Sequence, residues 1–502
     1  MLLIRLYCLL VFLLILNQEI YSQQWSAEVG IQSNYSTDNK IPFWFRSNQF
    51  GAIPMGDLSG TISAKINRNF QPQSEKISWK PEWSFSADTR INFNKRVQLQ
   101  IIELNVGARI GVFDIVAGRE KSLYGLVDST LSLGSFSFSG NSLGIPKLEI
   151  RIPNYIFIPY TNKLLSFKGS VSHGWMGNQP IHYGQNRGDA FATKYHHLTF
   201  YGLIGKPSWK FKLETAINHD VIWGSDKEIF GSQYNLNDFQ AFWYVLTGKA
   251  YKGPRDENGK NDISKIGNHL GSLDFAATYS FNNFNIRAYR QFFYDKGALR
   301  YSANIRDGLT GLVFKNLLPK ERKYYIQKLL FEYFYSKDQG GQFGAPWTPS
   351  GPEYYYNHGV YGNGFSYKGQ SLGTPIIIPS KDVKNGQAND PKDYFISNRV
   401  SAFHLGIHSL YNNWSIVTKF SIAKHFGDYH TSGPSEQWFN NKKIPQLFEY
   451  GKFTPVDQFS FTIMGSRPIF KTYVVSLGYA SDWGQLLNKN HGIFIGFNKR
   501  FL

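Results

Sequence analysis

The sequence predicts an all-β protein: a large antiparallel transmembrane β-barrel of about 16 to 20 strands with long, aromatic-rich loops. Three observations lead there. The amino terminus reads as an export signal, no later apolar run is long enough to cross a membrane as a helix, and apolar and polar side chains alternate with a two-residue period in many segments.

Met1 to Arg5 gives a short basic start, Leu6 to Leu16 is almost wholly apolar, and Ile20-Tyr21-Ser22 offers a small residue just before Gln23. This is the pattern of a cleavable signal peptide over residues 1–22, too short and wrongly flanked for a stable spanning helix. The mature chain is expected to begin at Gln23 or Gln24. The only cysteine, Cys8, lies early in the apolar stretch and not at its end, where an acylated residue would stand, so no lipid anchor is expected. A mature chain without cysteine has no disulfides, cysteine zinc sites or thiol nucleophiles. No Pro/Ser-rich tract or charge block divides residues 23–502, which are read as one domain. The longest near-apolar stretch after the signal, Ala241 to Leu246, is far too short for a membrane helix, so any crossing must be by strands.

Leu273, Phe275, Ala277, Tyr279 and Phe281 alternate with Asp274, Ala276, Thr278 and Ser280, which puts an apolar row on one face and a small, polar row on the other. Phe211 to Asn218, Phe284 to Phe292, Trp414 to Ile422 and Leu148 to Ile152 repeat the pattern, each with turn residues nearby. In a soluble sandwich the apolar row would face a core; in a barrel it faces lipid. Aromatic residues make up 17% of the chain, with 31 Tyr and 12 Trp, and barrels use such rings as girdles at both membrane interfaces. The ending Ile493 to Leu502 reads as a closing strand of the kind that barrel-insertion machinery recognises. Lys320 to Tyr335 fits two descriptions, a helical stripe or a strand covered on one face by lipid and on the other by a loop in the lumen.

Motifs for chemistry are few. Gly140-Asn141-Ser142-Leu143-Gly144 matches the G-x-S-x-G nucleophile pattern, but Ile145-Pro146 stands where the elbow needs a helix, so a turn is expected. Adjacent His196 and His197 on a strand point to opposite faces and cannot jointly hold a metal. Neither an enzyme nor a cofactor is expected, and no phosphate-cradling loop or nucleic-acid-binding pattern is present.

The formal charge of +18 has two readings: a solvated basic surface, or a surface for anionic partners such as acidic polysaccharide or the phosphates of lipopolysaccharide beside outer-membrane lipid. Gln339 to Pro379 is the densest unusual stretch. It carries Trp347, Tyr354, Tyr355, Tyr356, Tyr361, Phe365 and Tyr367 among Gly, Pro, Asn and Ser, and its prolines exclude one regular strand. Rings of this kind can stack on the C–H faces of sugars; alternatively they pack a plug.

Ile41-Pro42-Phe43-Trp44-Phe45-Arg46-Ser47-Asn48-Gln49-Phe50-Gly51 resembles the N-terminal hallmark of the Wzi-type capsule assembly family of Bacteroidota. Gly118-Arg119-Glu120, Ser172 to Trp175, Gly267 to Ser272, Arg306 to Gly311, Glu353 to Asn357, Leu372 to Pro375 and Asn398-Arg399 resemble its later blocks in order, across nearly the whole mature chain. Lys194 to His197 and Asp295 to Ala298 depart from the family's usual runs. The resemblance implies an outer-membrane barrel of about 18 strands, the number favoured, that binds capsular polysaccharide and helps to attach or organise it at the cell surface, without catalysis. The alternative is a porin-like or transport barrel.

Overall fold

A computed structural model of the chain describes residues 25–72, 77–183, 187–234, 236–255, 261–318, 323–342, 352–439 and 442–501. The signal peptide read over 1–22 and the start of the mature chain lie outside the described residues. An 18-stranded antiparallel sheet runs in chain order, and its first strand, Trp25–Ser36, pairs with its last, Asn490–Phe501, so the sheet closes into a barrel. Ile31 lies opposite Phe497 in that seam. Closure pairs every strand edge, which a sheet surrounded by hydrocarbon requires.

The alternation read from the sequence maps onto the two faces of the wall. In the strand Asn268–Ser280, Phe275 is 52% exposed on the outside while Asp274 is fully buried inside. Ile62, Leu99, Ile217, Phe331 and Ile495 continue the outer apolar belt from strand to strand. Water would penalise so large a contiguous apolar surface, and lipid does not. Exposed Trp83, Trp209, Phe211, Phe284 and Tyr324 ring one end of the belt, and Trp175, Tyr479 and Trp483 lie towards the other.

Short turns close the first of these ends. Asn412 and Asn413, both at positive φ, form the tight connection between Val400–Tyr411 and Trp414–His425, the geometry a two-residue hairpin prefers. At the opposite end lie the long connections 37–57, 120–146, 224–267, 336–399 and 426–455. Outer-membrane barrels keep short turns on the periplasmic side and long loops outside, which sets the orientation. The ambiguous segment is a strand, Tyr324–Tyr335, paired on both sides. Its outward Phe331 is exposed and its inward Leu330 and Phe334 are fully buried, so both faces are apolar for different reasons.

The main hydrophobic core lies inside the barrel. It joins inward strand residues such as Ala276, Tyr289, Leu330 and Ala402 to loop residues such as Phe43, Leu133, Phe136 and Ile377. Loops 37–57, 120–146 and 336–399 thus form a plug. Its backbone is tied to the wall at many points: Phe43 N donates to Asp482 (2.8 Å), Leu126 N to Asp274 (2.9 Å), Leu133 N to Glu332 (2.7 Å) and Gly125 N to the Tyr201 hydroxyl (2.9 Å). Gly373 lets two plug loops touch, since a Cβ there would lie 1.8 Å from the Phe136 carbonyl oxygen.

The run Ala241 to Leu246 belongs to the helix Asp238–Thr247, which opens with a reciprocal Asn237/Gln240 capping box. The helix lies against the outward side of the strand tops. Phe242 packs against His173, His196 and Trp223 at 5.4–5.9 Å. His196 therefore points outward beneath this helix, to the face opposite His197, as expected of neighbours on a strand. His197 points inward, 2.7 Å from Asp220 and stacked on Tyr124.

Candidate functional site

The structure places six of the seven aromatic candidates of the 336–399 loop; Trp347 lies outside the described residues. Tyr355, Tyr356, Tyr361, Phe365 and Tyr367 are buried, and Tyr354 is half-buried. The Tyr355 hydroxyl donates to Asp307 (2.8 Å) and accepts from Asn304 (2.8 Å), and that of Tyr356 donates to the Phe136 carbonyl. Phe136 stacks on Phe293 at 3.8 Å and meets Tyr355 and Tyr356 edge-on. The loop folds into the lumen, so these rings meet protein on both faces and pack the plug. Tyr361 also lines an open cavity.

That cavity, of about 880 Å³, opens among the long loops. Tyr361, Tyr234 and half-buried Phe230 form its aromatic floor, with Tyr183 and Tyr301 exposed at the rim. The rings support one another: Tyr183 meets Phe230 at 4.7 Å and Phe230 meets Tyr234 at 4.5 Å. Lys249, Lys296 and Arg300 are exposed at the edge, and half-buried Lys265 donates to the Lys296 carbonyl (3.1 Å).

The groove's wall is fixed by one buried carboxylate. Glu353 accepts backbone N–H groups from Asp295 (2.6 Å), Lys296, Gly297 (3.0 Å) and Ala298 (2.6 Å), a run of donors that holds the Lys296 turn in place. Asp295 in turn accepts from Tyr354 N (2.9 Å). Burial, reinforced by the Glu353 charge, pushes the Asp295 carboxyl up to about 7, so its negative charge is weakened near neutral pH and the groove stays cationic. The arrangement can take an anionic, ring-faced ligand several units long: cations for carboxylate or phosphate, aromatic faces for apolar ring surfaces.

The groove was not read from the sequence. Its residues come from four loops, and neither Tyr183, Phe230 and Tyr234 nor Lys249, Lys265 and Arg300 form a local pattern. The blocks that carry the resemblance instead build the scaffold. Phe43, Trp44 and Phe45 are buried in the plug, and Asn398 Nδ2 donates to the Tyr355 carbonyl (2.8 Å). Gly140 to Gly144 is a plug turn: Asn141 donates to Ser371 Oγ (2.9 Å), and the Ser142 hydroxyl donates to the Leu143 carbonyl.

A closed barrel with an apolar outer belt, long loops at one end and a plug folded from those loops defines an outer-membrane β-barrel. Its fold is similar to that of Wzi from Escherichia coli, described as an outer-membrane protein involved in group 1 capsule assembly and a carbohydrate-binding β-barrel. The TM-score is 0.54 at 11% identity, covering 97% of this chain and 87% of that one. The fold thus agrees with the resemblance carried by Ile41 to Gly51 and the later blocks. OccAB4 of Acinetobacter baumannii (TM-score 0.42, 8% identity, 96% and 99% covered) and OccD3 of Pseudomonas aeruginosa (0.40, 10%, 95% and 91%) match more loosely. No family model matches the chain, and no curated protein matches it in sequence.

Proposed function

We propose that the protein is a capsule assembly protein that holds an acidic surface polysaccharide in the outer groove and so helps to attach or organise it at the cell surface. The observation that carries this reading is the pairing of Lys249, Lys265, Lys296 and Arg300 with Tyr183, Phe230 and Tyr301 around one open cavity. Carboxylate or phosphate groups of a repeating polymer meet the cations, sugar C–H faces rest on the rings, and weak contacts along the chain add through multivalency. The fold likeness to a barrel described as carbohydrate-binding supports it. The role is adhesive: no cofactor and no catalytic step enter it. A plug hydrogen-bonded around the wall favours adhesion over the porin-like alternative.

The test is a glycan array with the purified barrel in detergent, followed by titration of the acidic polymers it retains against a Lys296→Glu/Arg300→Glu variant. Loss of about 2 kcal/mol, the scale of charge-assisted contacts, is expected for the variant. Retention of neutral glycans only, or equal affinity of the folded variant, would refute the reading, and a large open conductance in planar bilayers would favour the porin.

A further inference from the structure

A second constellation sits where two other outer loops meet. Asp390 and Asp393 belong to the 336–399 loop, and Asp428 and His430 to the 426–455 loop. One donor atom from each of Asp390, Asp393 and His430 lies within 4.8 Å of the others. His430 Nδ1 is 3.4 Å from Asp393 Oδ2 and 3.6 Å from Asp390 Oδ2. The Tyr354 hydroxyl donates to Asp393 and stands 2.9 Å from the same imidazole nitrogen.

Asp428 is the telling member. Its Oδ1 caps the following turn, accepting from Thr431 N (2.9 Å) and Thr431 Oγ1 (3.0 Å). Its Oδ2, fully buried, receives no N–H or hydroxyl donor and faces the Asp393 carboxyl, with which it can share only a proton or a cation. Asp390 and Asp393 are buried too. Among the described residues no lysine or arginine forms an ion pair with any of the three; Arg399, close behind, turns its guanidinium to the carbonyls of Lys337 and Ser432. Among the same residues His430 is the one basic side chain that faces Asp390 and Asp393, and three carboxylates converging out of water call for more positive charge than one imidazole supplies.

We propose that Asp390, Asp393 and His430 bind one divalent cation of the manganese or zinc class, which clasps the two loops together on the outer face, with buried Asp428 adding negative charge beside Asp393. Two carboxylates supply hard oxygen donors and the imidazole supplies a nitrogen, a mixed set that suits Mn²⁺ or Zn²⁺; Ca²⁺ and Mg²⁺ take oxygen donors throughout. His430 is partly exposed, which leaves an entry path from solvent. The site is separate from the basic groove, so it can fail while glycan binding stands.

The full-length barrel in detergent, stripped with EDTA, is titrated with MnCl₂, ZnCl₂ and CaCl₂ in parallel by calorimetry, and bound metal per chain is counted by mass spectrometry. One equivalent of Mn²⁺ or Zn²⁺ is expected. Asp393→Asn and His430→Ala should each weaken it by about tenfold or more, the scale on which even indirect changes to metal sites act. Asp428→Asn keeps the cap, because Asn serves that role as well, and should also weaken binding. Each variant is checked for folding by its heat-modifiable gel mobility. No equivalent above background, a preference for Ca²⁺, or undiminished binding by the folded Asp393→Asn and Asp428→Asn variants would overturn the proposal.

Discussion

Arg46 and Asp382 form a buried ion pair, with Nη1 2.9 Å from Oδ2, between the 37–57 and 336–399 loops. Lys40 and Lys381 reach the other carboxylate oxygen, each at 3.2 Å. Burial alone would raise the Asp382 carboxyl; Arg46, Lys381 and Lys40 together hold it below the usual carboxylate range. A lowered acid stabilises the plug at pH values above its ordinary value of 3.8, and the contribution disappears as pH falls through the depressed one. Asp382→Asn, which strands Arg46, should cost about 3 kcal/mol at neutral pH and remove that acid dependence. Thermal unfolding followed by near-ultraviolet circular dichroism between pH 2 and 7 (a range of about five units) checks both.

Asp295 has the opposite sign. Burial and Glu353 raise it to about 7, so it has no effect on stability below 3.8, destabilises the loop progressively as pH rises from 3.8 to about 7, and adds no further loss above that. Asp295→Asn should make the 295–307 loop more resistant to protease at pH 8 and flatten its pH dependence between about 4 and 8. A variant equally sensitive at both ends of that range would refute this.

The rings of the 336–399 loop should report on the plug. Phe365→Ala opens a cavity in a fully buried site and should destabilise it by about 3–5 kcal/mol. Tyr355→Phe leaves Asp307 and Asn304 short of a partner, for about 1–3 kcal/mol. Larger conductance in planar bilayers is the expected readout. Weaker glycan binding with an unchanged plug would instead return these rings to the ligand.

Tyr301 stands at the groove rim, half exposed and outside the plug. Tyr301→Ala should weaken binding of an acidic polymer by about 1–3 kcal/mol, taking base stacking on aromatics as the guide. Since Lys296 and Arg300 beside it are exposed, affinity should also fall as salt rises from 0.05 to 0.5 M, roughly a threefold shortening of the screening length. Isothermal titration at several salt concentrations measures both effects.

Circular dichroism should be dominated by strand, and the folded chain should migrate differently in sodium dodecyl sulfate before and after boiling, because every barrel edge is paired. Identical mobility would count against the closed sheet.

The wall was legible because lipid and lumen impose a local rule. Phe275 and Asp274 are neighbours with opposite surroundings, and a two-residue period records that. Tyr324–Tyr335 blurred the rule, since the plug makes Leu330 and Phe334 as apolar a demand as lipid makes of Phe331. The aromatic density of Gln339 to Pro379 was visible, but which way its rings face depends on where the loop goes. Tyr355 and Asp307, 48 residues apart, meet only because the loop turns inward. The groove and the Asp393/His430 cluster are likewise products of loop placement, with no spacing to betray them. The helix Asp238–Thr247 did leave a local mark, in the Asn237 and Gln240 of its capping box.

The seam between Trp25–Ser36 and Asn490–Phe501 also fixes an order of events. Ser36 Oγ donates to Asn490 Oδ1 (2.7 Å), and Thr37 N to the His491 carbonyl, contacts that join the two ends of the chain. Ring closure over that separation carries a large loop entropy and comes late. Until it happens, two rows of unpaired amides and carbonyls stand open to any passing strand, and neighbouring copies can aggregate through them. The period before the seam forms is therefore the vulnerable stage of this protein's life, and a mutation that slows pairing of Ile31 with Phe497 would act on yield long before it acts on anything the finished barrel does.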